Sequence, residues 1–592
     1  MGLVDSLPWH NPAFTAAVIL AAIGLAYYYY YSLPTSHHPR VPRPACSLPI
    51  LGTSLAFHKY AKAKHFYKWT REQTKLLGPF WDMNVIGFRP VCSDAREVRK
   101  MLTDGDAYYR GNDPRKAFID IAQYPLFIIP SGPVWKHHRK LIQPAFAPSN
   151  IRKVFPVSIE KADKMLAIMG KLTAKNPTTA AVNLYDCFQR VTLDIIGEVA
   201  LGGHQFNSLD ELLYPPPPSP PPSAAGQSAS GASSSSSSSS SSLTSLFEAF
   251  EKIVQAVGSR FGLPEWTWFL SNSSRKEIAP AAAAAQELAR SMIDKRRREL
   301  NEEVAQGIVR DKKDYDVMDR VLIPNADGEL LSTDEIVDEV IGFVLAGHET
   351  SSNAVTFALW HLMMDKNVMD KLMDEILRVL GPRGEPTAEM LKEMPYLDMV
   401  FKESLRLKSP VPAFQRSTVR DTVICGYHVP KDTGIMINVS SIHIDPELWG
   451  PDAEEFIPER WEDKAKMSDL EKLGAYLPFG GGPMMCVGMK VAIPEIKILM
   501  VRLLQHFEPS LRPGQDFSWT IDAVYDGYQT GAKKPIYGMP SSTDVSPQKP
   551  GEGGIQQAFN YQQQHYQQQQ AAQAPNPKKR ALISDYFAPG QQ

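Results

Sequence analysis

Residues 478–488 read Pro-Phe-Gly-Gly-Gly-Pro-Met-Met-Cys-Val-Gly and run directly into an apolar helical pattern. Three consecutive glycines let the backbone approach a large flat ligand closely. A helix opening at Cys486 aims free N–H groups and a positive dipole end at the sulfur. That setting lowers a thiol pKa and favours the thiolate, the form that ligates a metal. Taken alone, the loop is equally an ordinary turn with one buried cysteine, so the segments upstream decide.

Three of them precede the loop in order: Ala346-Gly347-His348-Glu349-Thr350-Ser351, Glu403-Ser404-Leu405-Arg406 and Phe456-Ile457-Pro458-Glu459-Arg460. With residues 478–488 they resemble the cytochrome P450 family of haem-thiolate monooxygenases, of the eukaryotic membrane-bound kind, over roughly residues 40 to 540. The resemblance implies a mainly α fold with a small β region near the N-terminal side, built around one buried haem. It implies haem b, Cys486 as the axial ligand of its iron, and Phe479, Gly482 and Gly488 beside it. A thiolate ligand donates electron density that favours O–O cleavage.

Length alone would favour about three or four domains, whereas the resemblance gathers residues 53–540 into one haem-thiolate domain. With 63 Lys+Arg against 65 Asp+Glu, no basic excess points to nucleic acid. Cys46, Cys92, Cys187, Cys425 and Cys486 are odd in number and scattered, which fits a reducing compartment.

Residues 13–31, AFTAAVILAAIGLAYYYYY, carry no charge and end in five tyrosines suited to a membrane–water interface. Residues 1–31 read as an N-terminal membrane anchor; the alternative, a cleaved signal peptide, lacks a basic n-region and a small-x-small site. His37, His38, Arg40 and Arg43 follow the span while Asp5 and His10 precede it, which places the bulk of the chain in the cytosol. The expected location is the endoplasmic reticulum membrane, single-pass. Residues 32–52, rich in proline, resemble the family's stiff hinge.

Trp135 and Arg139 are four apart and share a helix face. The resemblance implies that they reach a haem propionate, that Arg416 and His443 add further propionate contacts, and that the other basic residues of residues 135–140 face an electron donor. Residues 213–243, PPPPSPPP followed by a serine tract at their centre, cannot bury a core and read as a disordered insertion. The apolar character of Ser409 to Phe414, a segment that resembles the family's pocket lining, favours a hydrophobic substrate.

Ser332 to Glu335 is a capping box opening an apolar-periodic helix through Ile336, Val340 and Val344 to Leu362. It resembles the family's long central helix, with Gly347 permitting a local opening of the hydrogen-bond ladder. Glu349 and Thr350 look like its acid–alcohol pair. Reductive cleavage of dioxygen consumes two protons; Thr350 would orient the oxygen and Glu349 would relay protons from solvent. The bland alternative is a Thr350 bonded to the carbonyl one turn earlier and a solvated Glu349.

Glu403 and Arg406 are three apart on one helix face, and an exposed pair of that kind is worth only about 0.2–0.5 kcal/mol. The resemblance implies a buried network with Arg460 instead. Met484 departs from the family pattern, standing where an arginine usually pairs with a propionate, and Pro494 should kink the last helix. Residues 541–592 read as a disordered Gln-rich tail. Within it, residues 580–587 weakly resemble a sliding-clamp-binding peptide.

No Rossmann fingerprint accompanies these motifs, so electrons must come from a separate NADPH–cytochrome P450 reductase, with cytochrome b5 as a second donor. The reaction implied is insertion of one oxygen atom of dioxygen into a hydrophobic organic substrate. A haem-thiolate isomerase or dehydratase and a non-catalytic haem-binding protein are the alternatives.

Overall fold

The computed structural model describes residues 12–32, 40–48, 52–62, 66–85, 88–147, 152–174, 182–214, 246–260, 268, 274–311, 314–510 and 537–540. α1 spans Pro12–Ser32, and the helices that position the site are α2 (Pro133–Ile142), α3 (Leu184–Ala200), α4 (Thr333–Met364), α5 (Pro395–Leu407) and α6 (Met489–His506).

α4 is the axis of the molecule. Ser332 and Glu335 cap it reciprocally: the Ser332 N–H donates to the Glu335 carboxylate at 2.8 Å, and the Glu335 N–H donates back to the Ser332 hydroxyl at 3.3 Å. Its 32 residues span about 48 Å. Ile336, Val337, Val340, Ile341, Val344, Val355, Ala358 and Leu359 are all buried, so the helix is walled by other elements on nearly every side. α3 lies along it. A Cβ on Gly347 would stand 2.7 Å from Ile196 Cγ1, so this glycine sets how closely the two helices approach. The ladder opening expected at Gly347 does not occur: α4 runs unbroken from Thr333 to Met364.

The sheet has the order β1-β2-β5-β4-β3, from Phe80–Asp82, Pro90–Cys92, Gly434–Ile437, Phe414–Thr418 and Tyr108–Tyr109. β2 and β5 are parallel, and the other neighbours are antiparallel. The β region therefore does not belong to the N-terminal side alone, because half its ladder comes from residues 414–437. The register pairs Tyr109 with Ser417, which places Arg110 beside Arg416 across some three hundred residues of chain. The proline-rich segment is anchored here as well. Asp82 N–H donates to Pro42 O at 2.8 Å, and Arg43 Nε pairs with the buried Asp82 carboxylate at 2.8 Å.

α1 is helical over 21 residues, as expected. Among the described residues, no helix is long and apolar enough to cross a membrane, so the anchor rests on the sequence pattern. The helix expected near residues 186–201 is α3, and α6 continues through Pro494. The insertion at 213–243 falls outside the described residues from 215 on, and the tail 541–592, with its peptide 580–587, wholly so.

Candidate active site

The cysteine loop turns through two left-handed glycines, Gly480 (φ 71°) and Gly482 (φ 67°). A Cβ on Gly482 would lie 1.9 Å from Leu102 O, so no other residue fits. The Cys486 N–H closes the turn onto Phe479 O at 3.0 Å, and Phe479 packs half-buried against the main core. Gly488 caps α6, which starts at Met489, so the helix opens three residues later than the sequence suggested. Cys486 is exposed on a cavity of about 670 Å³ lined also by Trp135, Arg139 and Phe146. The loop encloses the thiol on its other sides, and burial there pushes its pKa up. The Gly488 N–H, the Arg139 charge and the Met489 N–H pull the other way. The depressed thiol pKa expected from sequence is thus an opposing influence in this structure and not its outcome.

Three arginines converge near this cavity. Arg110 and Arg416 are buried at 9% and 7% exposure, and Arg139 is half-buried. Arg110 donates to Leu126 O (2.9 Å) and Ile129 O (3.2 Å), Arg416 to Gln415 O (2.9 Å), and Arg139 to Gln143 Oε1 (2.9 Å) and Met485 O (3.0 Å). Among the described residues no carboxylate pairs with any of them. Burial and the neighbouring charges of Arg416 and Arg139 pull Arg110 down to about 9, and burial pulls Arg416 down to about 10. A buried cluster of cations without acids is costly unless a ligand brings the anions. The two propionates of haem are such anions, and the indole N–H of Trp135 has no protein acceptor among the described residues. The residues present therefore fit the group.

Arg110 was not singled out from the sequence, where it stands alone among residues 108–113. Only the β3–β4 register reveals it. Met484 belongs to the same corner: Ser131 Oγ accepts the Arg110 N–H at 2.8 Å and lies 3.7 Å from Met484 Sδ. Arg110 thus places a cation in the corner where the Met484 position has none.

His443 is corrected. It is fully buried, its Nδ1 bonds Arg406 O at 2.9 Å, and its Nε2 accepts the Leu477 N–H at 2.8 Å. Both ring nitrogens are spent, and burial holds the ring neutral with a pKa lowered to about 3. It ties α5 to the approach of the cysteine loop and has no hydrogen-bonding group left for a propionate.

Arg406 makes a two-pronged bond to Glu403, Nε to Oε2 at 2.8 Å and Nη2 to Oε1 at 2.7 Å. Arg460 Nε reaches Glu403 Oε1 at 3.3 Å, and the Trp461 indole N–H donates to Oε2 at 3.0 Å. Of the remaining guanidinium donors, those of Arg406 go to His443 O, Ala453 O and Glu455 O, and those of Arg460 to Trp449 O, Asp452 O and the Asp452 carboxylate, whose Oδ1 lies 3.1 Å from Nη1. The network is closed, and it locks α5 to the segment that leads into the loop.

On α4, Ala346 is exposed between buried neighbours and Thr350 is half-buried, so the helix opens to a space at this point. Thr350 Oγ1 donates to Ala346 O at 2.7 Å, the local bond that the blander sequence reading allowed. Glu349 is not solvated. It is 8% exposed and accepts hydrogen bonds from Tyr185 and Gln189 of α3.

Residues 42–523 match the family description "Cytochrome P450". The chain is 28% identical over 500 residues to cytochrome P450 3A29 of Sus scrofa, covering 84% of this chain and 89% of that protein. It is 27% identical over 527 residues to cytochrome P450 3A12 of Canis lupus familiaris, covering 84% and 91%. To cytochrome P450 734A1 of Arabidopsis thaliana it is 26% identical over 440 residues, covering 73% and 75%.

Proposed function

The chain belongs to the cytochrome P450 family, a haem-thiolate monooxygenase using haem b, and from that premise we propose that it oxygenates a hydrophobic organic substrate with electrons from NADPH through a separate reductase. When bound, the haem supplies the activation of dioxygen, one atom of which enters the substrate while the other leaves as water. The observation that carries the site assignment is the acid-free trio Arg110, Arg139 and Arg416, of which Arg139 lines the same cavity as Cys486.

In this reading Cys486 is the iron ligand, held by the turn that Gly480 and Gly482 make possible, with Phe479, Gly482 and Gly488 shaping its surroundings. Trp135, Arg110, Arg139 and Arg416 hold the propionates. Glu403, Arg406 and Arg460 fix the segment that carries the loop. Thr350 orients a reacting oxygen at the open point of α4, and Glu349 supplies protons. The exposed Val411 and half-buried Phe414 face substrate. Residues 1–31 tether the protein to the endoplasmic reticulum membrane, and Lys136, Lys140 and Lys490 form the rim on which a reductase, or cytochrome b5, docks.

The test is the carbon monoxide difference spectrum of reduced wild type beside Cys486→Ser. A thiolate-type band present in wild type and lost in the variant supports the ligand assignment. A wild type without haem, or with only a neutral-ligand band, overturns it. Dependence of product on both NADPH and dioxygen separates the monooxygenase from an isomerase or dehydratase.

A further inference from the structure

α3 presents Tyr185, Gln189, Thr192 and Ile196 along one face, spaced by four, three and four residues, and that face lies on α4. Tyr185 Oη donates to Glu349 Oε1 at 2.9 Å. Gln189 Nε2 donates to Glu349 Oε2 at 3.1 Å and to Tyr185 Oη at 3.0 Å. Asn353 Nδ2 approaches Oε1 at 3.5 Å, and His348 Nε2 stands 3.9 Å from Oε2. Glu349 is therefore held by neutral donors, with no Lys or Arg facing it among the described residues.

These donors are not equivalent. An amide N–H of Gln189 or Asn353 fixes a carboxylate but passes no proton on, whereas a hydroxyl both donates and accepts. Tyr185 is half-buried while Glu349 is buried, so the tyrosine lies farther out than the acid it donates to. Resting on the reading of Glu349 as the proton-supplying acid, we propose that Tyr185 is the outer positioning residue of that supply. Its hydroxyl gives its proton to Glu349 Oε1 as it takes another from solvent, with no net change in Tyr185, and Gln189 holds the two in register. The proposal covers the leg from solvent to Glu349.

A structural alternative is that these bonds only staple α3 to α4. Thr192 tests it, because its hydroxyl donates to His348 O at 2.9 Å between the same helices without touching Glu349. The experiment uses the reductase-coupled holoenzyme with a turned-over substrate. Tyr185→Phe, Thr192→Val and Glu349→Gln are compared for product per NADPH, hydrogen peroxide per NADPH and solvent deuterium isotope effect. When protons arrive late, two electrons and two protons leave with dioxygen as hydrogen peroxide and the substrate is not oxygenated.

Tyr185→Phe should keep the wild-type carbon monoxide spectrum, lose about fivefold in product yield with a matching rise in peroxide, and show a larger isotope effect. Thr192→Val should behave as wild type. A readout independent of turnover is the Glu349 carboxylate infrared band, assigned by subtraction of Glu349→Gln, which should shift in Tyr185→Phe. If Tyr185→Phe couples normally while Glu349→Gln does not, the Tyr185 proposal fails and the reading of Glu349 stands. If Glu349→Gln also couples normally, that reading itself fails. Equal losses in Tyr185→Phe and Thr192→Val would reduce both to staples and overturn the proposal. Should Tyr185→Phe lose haem, Tyr185→His, which keeps an exchangeable proton, should restore the yield, and a fivefold loss there overturns the proposal equally.

Discussion

Two clusters of arginines in the molecule are treated in opposite ways. Beneath α5, Arg406 and Arg460 are matched by Glu403 and by main-chain carbonyls. Near the cavity, Arg110 and Arg416 are just as deeply buried yet meet only carbonyls, and their pKa values are pulled down. The first cluster is complete without a ligand and serves the fold. The second carries an electrostatic cost that an anionic guest would remove, which is why binding is the role proposed for it.

The largest expected effect breaks the first cluster. Glu403→Ala leaves the fully buried Arg406 guanidinium without a carboxylate, a loss of about 3–5 kcal/mol. Urea unfolding should register it, and the variant should be isolated without haem. A stable, haem-loaded Glu403→Ala protein would show that the closed network is dispensable.

Arg416→Met sharpens the contrast. Its apoprotein should be as stable as wild type or more so, because a desolvated charge is gone, while haem affinity falls by about 1.5–3 kcal/mol, roughly ten- to a hundredfold. Haem titration beside a melt of the apoprotein separates the two quantities. Loss of apoprotein stability with unchanged haem affinity would move Arg416 into the first class. A smaller effect of opposite sign is expected for Met484→Arg, which adds a cation next to Arg110: haem should dissociate several-fold more slowly. No change would mean that Arg110 already satisfies the propionate there.

How far each cluster was legible in the sequence follows from the same contrast. Glu403 and Arg406 sit one helical turn apart, and the cap at Ser332 and the glycine–cysteine loop are equally local, so these residues could be picked out from short stretches, while the burial of the pair and the role of the loop came from the ordered set of motifs. Arg110 acquires meaning only when β3 pairs with β4, and Glu349 acquires its partners only when α3 lies on α4, 164 and 160 residues away for Tyr185 and Gln189. His443 failed for a related reason. Its residue type suited a propionate, but the carbonyl and N–H that occupy its ring come from Arg406 and Leu477, which no local pattern announces. Gly347 was read for the freedom it gives its own helix, and the structure uses it for the room it gives a neighbour.

The smallest effect concerns the joint between α2 and the central helix α4. His138 of α2 is fully buried, with Nδ1 2.7 Å from Glu339 Oε1 and Nε2 3.3 Å from Glu335 Oε1 of α4, its ring stacked on Tyr124. Burial opposes the charged ring, but the hydrogen bonds and charges of Glu339 and Glu335 prevail and raise its pKa above 6.5. Burial likewise raises Glu339 above 4.5, while the Ser332 and His138 contacts outweigh burial and lower Glu335. A raised His pKa contributes stability that is complete below 6.5 and lost as pH climbs through the folded value, and a raised Glu339 adds its penalty in the same direction. The lowered Glu335 contributes fully above 4.5 and loses that contribution as pH falls below it, so the joint weakens below 4.5 through Glu335 and above 6.5 through His138. Tm of wild type minus that of His138→Gln should therefore shrink from pH 6 towards pH 9, by a few degrees at most for about 1 kcal/mol in a chain of this size. A difference that stays constant over that range would mean that His138 is neutral in the folded protein and that the two helices are joined by a hydrogen bond alone.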